Sequence, residues 1–177
     1  MNIAAIYECS IENGPGCRTS VFVSGCTRHC PGCHNQQVWD FDYGRPYTPD
    51  IEQYIDSTLD RADGLSILGG EPLELKNQIG VYWLVHCAFM KRKSVWLYTG
   101  YLWEEIFNQQ DWNMNYVKGI LRETDVIVDG PYIEAERDIT LAYRGSRNQR
   151  IINVPASLRA GRAVLMDKYM GGRHGTN

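Results

Sequence analysis

Short apolar runs alternate with helix-like stretches along most of this chain, and this alternation limits its possible folds more than any other feature. Strands are predicted at residues 19–24, 65–68, 94–99 and 125–128, with further strands at 2–7 and 150–154. Helices are predicted around residues 49–62, 76–92, 101–109 and 114–122. Strands that alternate with helices are typical of parallel βαβ units. The sequence therefore predicts one α/β domain with mostly parallel strands over residues 1–156.

Chemically distinctive residues follow each of the four central strands. These are a loop with three cysteines after 19–24, Gly-Gly-Glu-Pro at 69–72, Thr99 before Gly100, and Asp129 before Gly-Pro at 130–131. Active sites of parallel sheets lie at the carboxyl ends of the strands, because loops from several strands converge there. Glycines after strands are also ordinary turn residues, so the prediction of a site depends on the whole set.

Composition favours a folded protein of a reducing compartment. The chain has 177 residues, 44% of them apolar, enough for one domain with a core. Six cysteines are too few for a disulfide scaffold at this length. A net charge of −3 gives no general attraction for nucleic acid. The sequence shows neither a signal peptide nor a membrane-spanning run, so we expect a soluble cytoplasmic protein.

Cys26, Cys30 and Cys33 form a C-x₃-C-x₂-C run directly after the first central strand. Pro31 and Gly32 favour a loop, because proline costs about 3 kcal/mol and glycine about 1 kcal/mol inside a helix. A four-iron cluster usually takes four cysteine ligands. Three close cysteines would therefore leave one iron open to a molecule other than the protein. Such an open iron indicates catalysis as well as electron storage.

A zinc site is the main alternative for this run. Its ligands would be the three cysteines with His34 or His29. Structural zinc sites usually combine ligand pairs separated by a longer insert, whereas all these candidates lie close together along the chain. The spacing, and the glycine run that follows, favour an iron–sulfur cluster over zinc.

The motifs as a set resemble the radical S-adenosylmethionine superfamily, through the cysteine run and the later Gly-Gly-Glu-Pro. Within it they resemble the anaerobic ribonucleoside-triphosphate reductase activating proteins. That likeness adds Asn-Gly-Pro-Gly at 13–16, Phe-Val-Ser-Gly-Cys at 22–26, Cys-Pro-Gly-Cys-His-Asn at 30–35, Trp-Leu-Tyr-Thr-Gly-Tyr at 96–101, Val-Asp-Gly at 128–130 and Arg-Gly-Ser-Arg-Asn-Gln at 144–149. It covers about residues 1–155. Gly32 departs from the superfamily pattern, which often has an aromatic residue at that position.

The resemblance implies a partial, open β/α barrel of the radical SAM type. It implies a [4Fe-4S] cluster on Cys26, Cys30 and Cys33, the catalytic and metal-binding residues, with S-adenosyl-L-methionine on the open iron. Reductive cleavage of that cofactor would give a 5′-deoxyadenosyl radical, which takes hydrogen from a glycine of the anaerobic ribonucleoside-triphosphate reductase. The other cofactor-binding residues expected, beside Cys33, are Gly32, His34, Gly69, Gly70, Glu71, Thr99 and Asp129.

Further expectations concern partners and the end of the chain. Arg18, Arg28 and His29 would form a small basic region for an acidic electron donor such as flavodoxin, although the sequence favours ordinary solvated charges over this role. Residues 144–149 are expected to contact the partner, and a homodimer is left open. Residues 157–177 are predicted to form a loosely ordered tail. No chemistry is assigned to Cys9, Cys17 or Cys87.

Two other functions stay open from the sequence. A different small radical enzyme, such as a pyruvate formate-lyase activase or a deazapurine synthase, would use the same cofactor on another substrate. A non-catalytic zinc-binding module would contain zinc and no sulfide. For single residues, His34 also fits a surface histidine and Asp129 also fits a turn-shaping carboxylate.

Overall fold

The computed structural model describes residues 1–171, and in it the apolar runs become the strands of one sheet. The strands are β1 (Asn2–Ser10), β2 (Arg18–Val23), β3 (Arg45–Pro46), β4 (Gly64–Gly69), β5 (Ser94–Tyr98), β6 (Val126–Asp129) and β7 (Arg150–Asn153), in the order β3-β1-β2-β4-β5-β6-β7. The central strands β2, β4, β5 and β6 are parallel, and the outer pairings are antiparallel. The predicted α/β class is confirmed. The sheet is open, because β3 and β7 end it on either side.

Six α-helices accompany these strands within the described residues. They are α1 (Pro49–Leu59), α2 (Leu75–Met90), α3 (Trp103–Ile106), α4 (Met114–Arg122), α5 (Val154–Ala160) and α6 (Asp167–Met170). α1 begins as the sequence predicts, since the Thr48 hydroxyl accepts the Ile51 N–H at 3.5 Å and Pro49 opens the first turn. The predicted helix at 101–109 is only the short α3. No helix within residues 1–171 has the length and hydropathy needed to cross a membrane.

Side chains point alternately to the two sides of the central strands, so the sheet has two different faces. Val21, Ile67 and Leu97 are fully buried in the main core, which the sheet shares with α1, α2 and α4. Their neighbours Phe22, Leu68 and Tyr98 point to the opposite face, because successive side chains alternate across a strand. That opposite face carries the candidate site described below.

Helix α2 presents an apolar surface to solvent. The sequence predicts an apolar stripe of Ile79, Trp83, Cys87 and Met90 on this helix. In the structure Cys87 is half-buried, and the other three side chains are largely exposed. The core-facing side is instead formed by other residues of the helix, among them Val81 and Leu84. Because α2 is apolar around most of its circumference, the pattern alone did not show which side faces the sheet.

The predicted loose tail is wrong for residues 157–171. The N–H of Asn153 donates to Val164 O at 2.9 Å, and the N–H of Met166 donates to Ile151 O at 2.8 Å, so this segment is bonded back onto β7. Helix α6 then packs against a second apolar cluster around Trp96. These long-range contacts are not visible in the local sequence pattern. Residues 172–177 lie outside the described part of the chain.

Cys9 and Cys17 form a disulfide bond between β1 and the turn before β2. No feature of the sequence predicted this pairing. Antiparallel pairing of β1 with β2 brings their Cα atoms to 4.9 Å. Cys87 stays a free thiol on α2.

Candidate cofactor and metal site

The cysteine run lies in a loop at the carboxyl end of β2, here called the cysteine loop (residues 25–35). Its backbone has positive φ at Gly25 (93°) and Gly32 (73°), a conformation that side chains disfavour. The N–H of Gly25 donates to Val38 O at 2.8 Å, which holds the start of the loop against the next turn of chain. The predicted loop conformation is therefore confirmed.

Cys26, Cys30 and Cys33 are free thiols that border one cavity at this edge of the sheet. The N–H of Cys33 donates to Cys30 O at 3.1 Å, and the N–H of Asn35 is directed at the Cys33 Sγ at 3.5 Å. Burial raises the pKa of Cys26 to about 11. A metal that binds this sulfur therefore has to displace a proton, because the ligand is the thiolate.

The two histidines of the loop pack against aromatic rings. His29 stacks on Trp39 with ring centroids 4.5 Å apart, and His34 meets Tyr132 edge-on at 4.9 Å. Within residues 1–171, no three His, Cys, Asp or Glu side chains are arranged to hold a single metal ion. His34 lines the cavity together with the three cysteines, whereas His29 does not border it.

Gly69 and Gly70 continue β4 into the wall of the cavity. A Cβ on Gly70 would lie 2.6 Å from Gly25 O, and one on Gly69 would lie 2.8 Å from Val23 O. These positions need glycine because the backbone of β2 and of the cysteine loop passes so close. The family resemblance led us to expect the same glycines to bind the cofactor. The structure supplies a second reason, since they let the two loops pack together.

Glu71 is buried beside these glycines and ties two loops together. Its Oε1 accepts from the Thr99 hydroxyl at 2.8 Å and from the Leu73 N–H at 3.0 Å, and its Oε2 accepts from the Gly100 N–H at 2.7 Å. Burial raises the pKa of Glu71 to about 7, while these donors oppose the rise. The carboxylate thus links the loop after β4 to the loop after β5.

Arg28 is a cavity residue that the sequence placed only in a basic surface region. Its guanidinium lies over the Tyr101 ring, with the Cζ atom 4.5 Å from the ring centroid, and its Nη1 is 3.7 Å from Glu105 Oε2. The Arg28 Nε is buried and has no hydrogen-bond partner among residues 1–171. An unpaired buried N–H is unfavourable, so this atom is suited to an acceptor on a bound molecule.

The far wall of the cavity comes from the loops that flank β6 and β7. It contains Gly130, Tyr132, Gly145 and Gln149. The Gln149 amide oxygen accepts from the Gly145 N–H at 2.8 Å, and the amide nitrogen donates to Gly130 O at 3.2 Å. Gly145 and Gln149 belong to residues 144–149, which were expected to contact the partner, and in the structure they help to close the cavity. Tyr132 had no signal of its own beyond following the Gly-Pro turn.

Two residues expected at the cofactor do not line the cavity. Asp129 is fully buried, accepts from the Trp103 N–H at 2.7 Å and pairs with Arg150, whose Nε lies 2.9 Å from Oδ1. Gly32 faces Glu134, because a Cβ there would lie 2.5 Å from the Glu134 Cδ. The structure brings together the cysteines, His34, the glycine pair, Glu71 and Thr99.

The expected basic region does not form, because Arg18 lies far from the cysteine loop. Arg18 opens β2 at the amino end, whereas Arg28 and His29 follow its carboxyl end. The guanidinium of Arg18 is buried and donates to Ser66 Oγ at 2.7 Å and to the backbone of Leu65 at 2.7 Å. These hydrogen bonds link β2 to β4 and stabilise the sheet.

Comparison with known proteins agrees with this site. Residues 12–152 match the family model of the 4Fe-4S single cluster domain, so the chain belongs to that class of iron–sulfur proteins. The chain is 37% identical to the anaerobic ribonucleoside-triphosphate reductase-activating protein of Vibrio cholerae over 157 residues, which cover 85% of this chain and 97% of that protein.

Proteins with the same name in two other organisms match similarly. The one from Escherichia coli strain K12 is 37% identical over 155 residues, covering 84% of this chain and 96% of its own length. The one from Enterobacteria phage T4 is 36% identical over 155 residues, covering 85% and 93%. The chain belongs to the family of anaerobic ribonucleoside-triphosphate reductase-activating proteins, as its motifs predicted.

Proposed function

We propose that this chain cleaves S-adenosyl-L-methionine reductively at a [4Fe-4S] cluster and generates a glycyl radical on an anaerobic ribonucleoside-triphosphate reductase. The observation that carries the proposal is that three free thiols, Cys26, Cys30 and Cys33, border the same cavity as Glu71 and the glycine pair before it. The chain's family, whose members are named for activating that reductase, supplies the protein substrate.

The residues present fit both groups. Three thiols can each bind one iron of a cluster and leave one iron for the cofactor. A cluster held by these thiols would supply, once reduced, the electron for cleavage of the cofactor into methionine and a 5′-deoxyadenosyl radical able to take a hydrogen atom from glycine. The chain itself has to orient the cofactor and keep water away from the reacting atoms.

The cavity contains opposite charges suited to an amino-acid end group. A Cβ on Gly100 would lie 2.5 Å from the Arg28 Cδ and 3.5 Å from Glu71 Oε2, so these two side chains meet above that glycine. The methionine part of the cofactor carries an ammonium and a carboxylate. We assign Glu71 to the ammonium and Arg28, with its unpaired Nε, to the carboxylate.

The remaining residues are assigned either to the nucleoside part of the cofactor or to positioning a neighbouring side chain. His34 and Tyr132 line the cavity and pack edge-on against each other, and we assign them to packing against the adenine. Thr99 was expected to bind the cofactor directly. Because its hydroxyl donates to Glu71, we assign it the role of positioning that carboxylate. Asp129 accepts hydrogen bonds from Arg150 and from the N–H of Trp103 at the start of α3, so we assign it a structural role.

Anaerobic reconstitution with iron and sulfide, followed by reduction and addition of S-adenosylmethionine, tests this function. We expect 5′-deoxyadenosine from the cofactor, and a glycyl radical signal in electron paramagnetic resonance once the reductase is added. Absence of 5′-deoxyadenosine with and without the reductase would contradict the proposal. A radical on pyruvate formate-lyase and none on the reductase would favour the alternative activase, and zinc without sulfide would favour the binding module.

We also propose an acidic one-electron donor such as flavodoxin as the reductant. Of the three basic residues first considered, Arg28 and His29 remain on the cysteine loop, next to the cluster ligands. Comparison of flavodoxin with a chemical reductant, at low and at high ionic strength, tests this assignment. Reduction by flavodoxin that does not slow as salt increases would contradict it.

A further inference from the structure

A groove adjoins the cavity on the same side of the sheet. Its walls come from β1, the turn after β1, β2 and the cysteine loop, and they include Tyr7, Ile11, Phe22 and Asn35. Asn35 borders both the groove and the cavity. In addition, Phe22 in the groove is the sheet partner of Leu68, which lines the cavity. A chain lying in the groove would therefore reach the cavity directly.

The groove carries exposed apolar side chains. Tyr7 is 56% exposed and Ile11 is 72% exposed, and the Tyr7 ring packs edge-on against Phe22 with centroids 5.4 Å apart. Large apolar side chains grouped beside a cavity are typical of a binding surface. Contact with a partner would remove their area from water, at roughly 25 cal/mol per Å².

Strand β1 also has a largely unpaired edge beside this groove. On its outer side β1 pairs with β3 only at Asn2 and Ile3. For the rest of β1, no strand within residues 1–171 pairs with that edge. An edge of this kind offers backbone N–H and C=O groups to an extended segment of another chain.

We propose, on the basis of the function proposed above, that this groove receives the extended segment of the protein substrate that carries the target glycine. Hydrogen abstraction acts on a backbone Cα, so the residues that flank the glycine must lie on a surface that leads into the cavity. The groove is such a surface. The other large apolar surface, the exposed side of α2 with Ile79 and Trp83, belongs to a helix packed on the opposite face of the sheet.

The test uses the reconstituted holoenzyme and the intact anaerobic reductase. Ile11→Ser and the double variant Tyr7→Ser with Ile11→Ser are compared with a matched control, Ile79→Ser with Trp83→Ser on α2. We expect the double groove variant to raise the half-saturating reductase concentration for glycyl radical formation at least tenfold. Formation of 5′-deoxyadenosine without the reductase should be unchanged, and the α2 variant should behave as wild type.

Unchanged half-saturation in both groove variants, or a shift confined to the α2 variant, would overturn the proposal. A wild-type holoenzyme that makes no 5′-deoxyadenosine would instead overturn the proposed function. Ile11 lies after β1 and is mostly exposed, so Ile11→Ser provides a test even if the double variant folds poorly. Amide hydrogen exchange gives an independent readout. Added reductase should slow amide exchange in residues 4–12. Slower exchange in α2 without slower exchange in residues 4–12 would also refute binding of the substrate segment in the groove.

Discussion

The Thr99 hydroxyl donates a hydrogen bond to Glu71 Oε1 at 2.8 Å, and this contact joins the loops that follow β4 and β5. The two residues were expected to bind a cofactor separately. Because of this contact, Thr99 instead orients the Glu71 carboxylate, which faces the cavity. The position and protonation of Glu71 therefore depend on the packing of two loops.

The raised pKa of Glu71 makes the stability of the cluster-free protein depend on pH. The folded pKa is about 7 and the ordinary value is 4.5, so the folded state holds this proton more tightly. The contribution is complete below pH 4.5 and is lost as pH rises through 7. Urea unfolding of wild type and Glu71→Gln at several pH values should show their difference in unfolding free energy change by about 1–3 kcal/mol over this range. Parallel pH profiles for the two proteins would contradict this.

Removal of Arg150 should destabilise the fold. Asp129 is fully buried, and Arg150→Ala would leave its carboxylate without its ionic partner. We expect a loss of about 3 kcal/mol in unfolding free energy, measured by urea denaturation of the cluster-free protein. Arg147→Ala is the control and should change stability little, because Arg147 is largely exposed and Asp138 keeps its hydrogen bonds from Thr140. Equal effects of the two substitutions would argue against a special role for the buried pair.

Gly25→Ala should impair both folding and cluster binding. Gly25 has φ of +93°, and a Cβ there would lie 2.1 Å from the Phe41 ring. Gly161→Ala is the matched control, since φ is +65° and nothing lies within 4 Å of its Cβ position. The control should lose about 1 kcal/mol through backbone strain alone. Gly25→Ala should lose more and should bind less iron per chain on reconstitution, and similar behaviour of both variants would refute the steric explanation.

Each of Cys26→Ala, Cys30→Ala and Cys33→Ala should lose the four-iron cluster, because every ligand holds a separate iron. Cys87→Ala should keep it, since Cys87 lies on α2, away from the cavity. Iron and sulfide analysis with visible absorption after anaerobic reconstitution measures this. If all four variants lost the cluster equally, a general folding defect would be the better explanation.

Arg28→Gln should weaken cofactor binding through the carboxylate. The substitution removes the guanidinium beside Glu71 but keeps a polar side chain. We expect at least a tenfold loss of affinity for S-adenosylmethionine in equilibrium dialysis, and a much smaller loss for its decarboxylated analogue. A similar loss for both ligands would show that Arg28 does not recognise the carboxylate.

Features that depend on near neighbours in the chain were predictable. The cap at Thr48, the helix start at Pro49 and the loop conformation around Pro31 follow from the residues themselves. The cavity-lining cysteines and the glycine run followed from the rule that parallel strands bring their carboxyl ends to one edge. The partners of buried charges were not predictable, because Asp129 and Arg150 are 21 residues apart and meet only through the pairing of β6 with β7.

By itself, the sequence determined the α/β class, the central strands, the cysteine loop and the family, since these depend on local periodicity, spacing and short motifs. The tertiary structure decided that Arg28 enters the cavity while Arg18 braces the sheet, that Cys9 meets Cys17, and that one apolar side of α2 stays exposed. Each of these outcomes depends on contacts between distant segments, and such contacts exist only after the sheet has assembled.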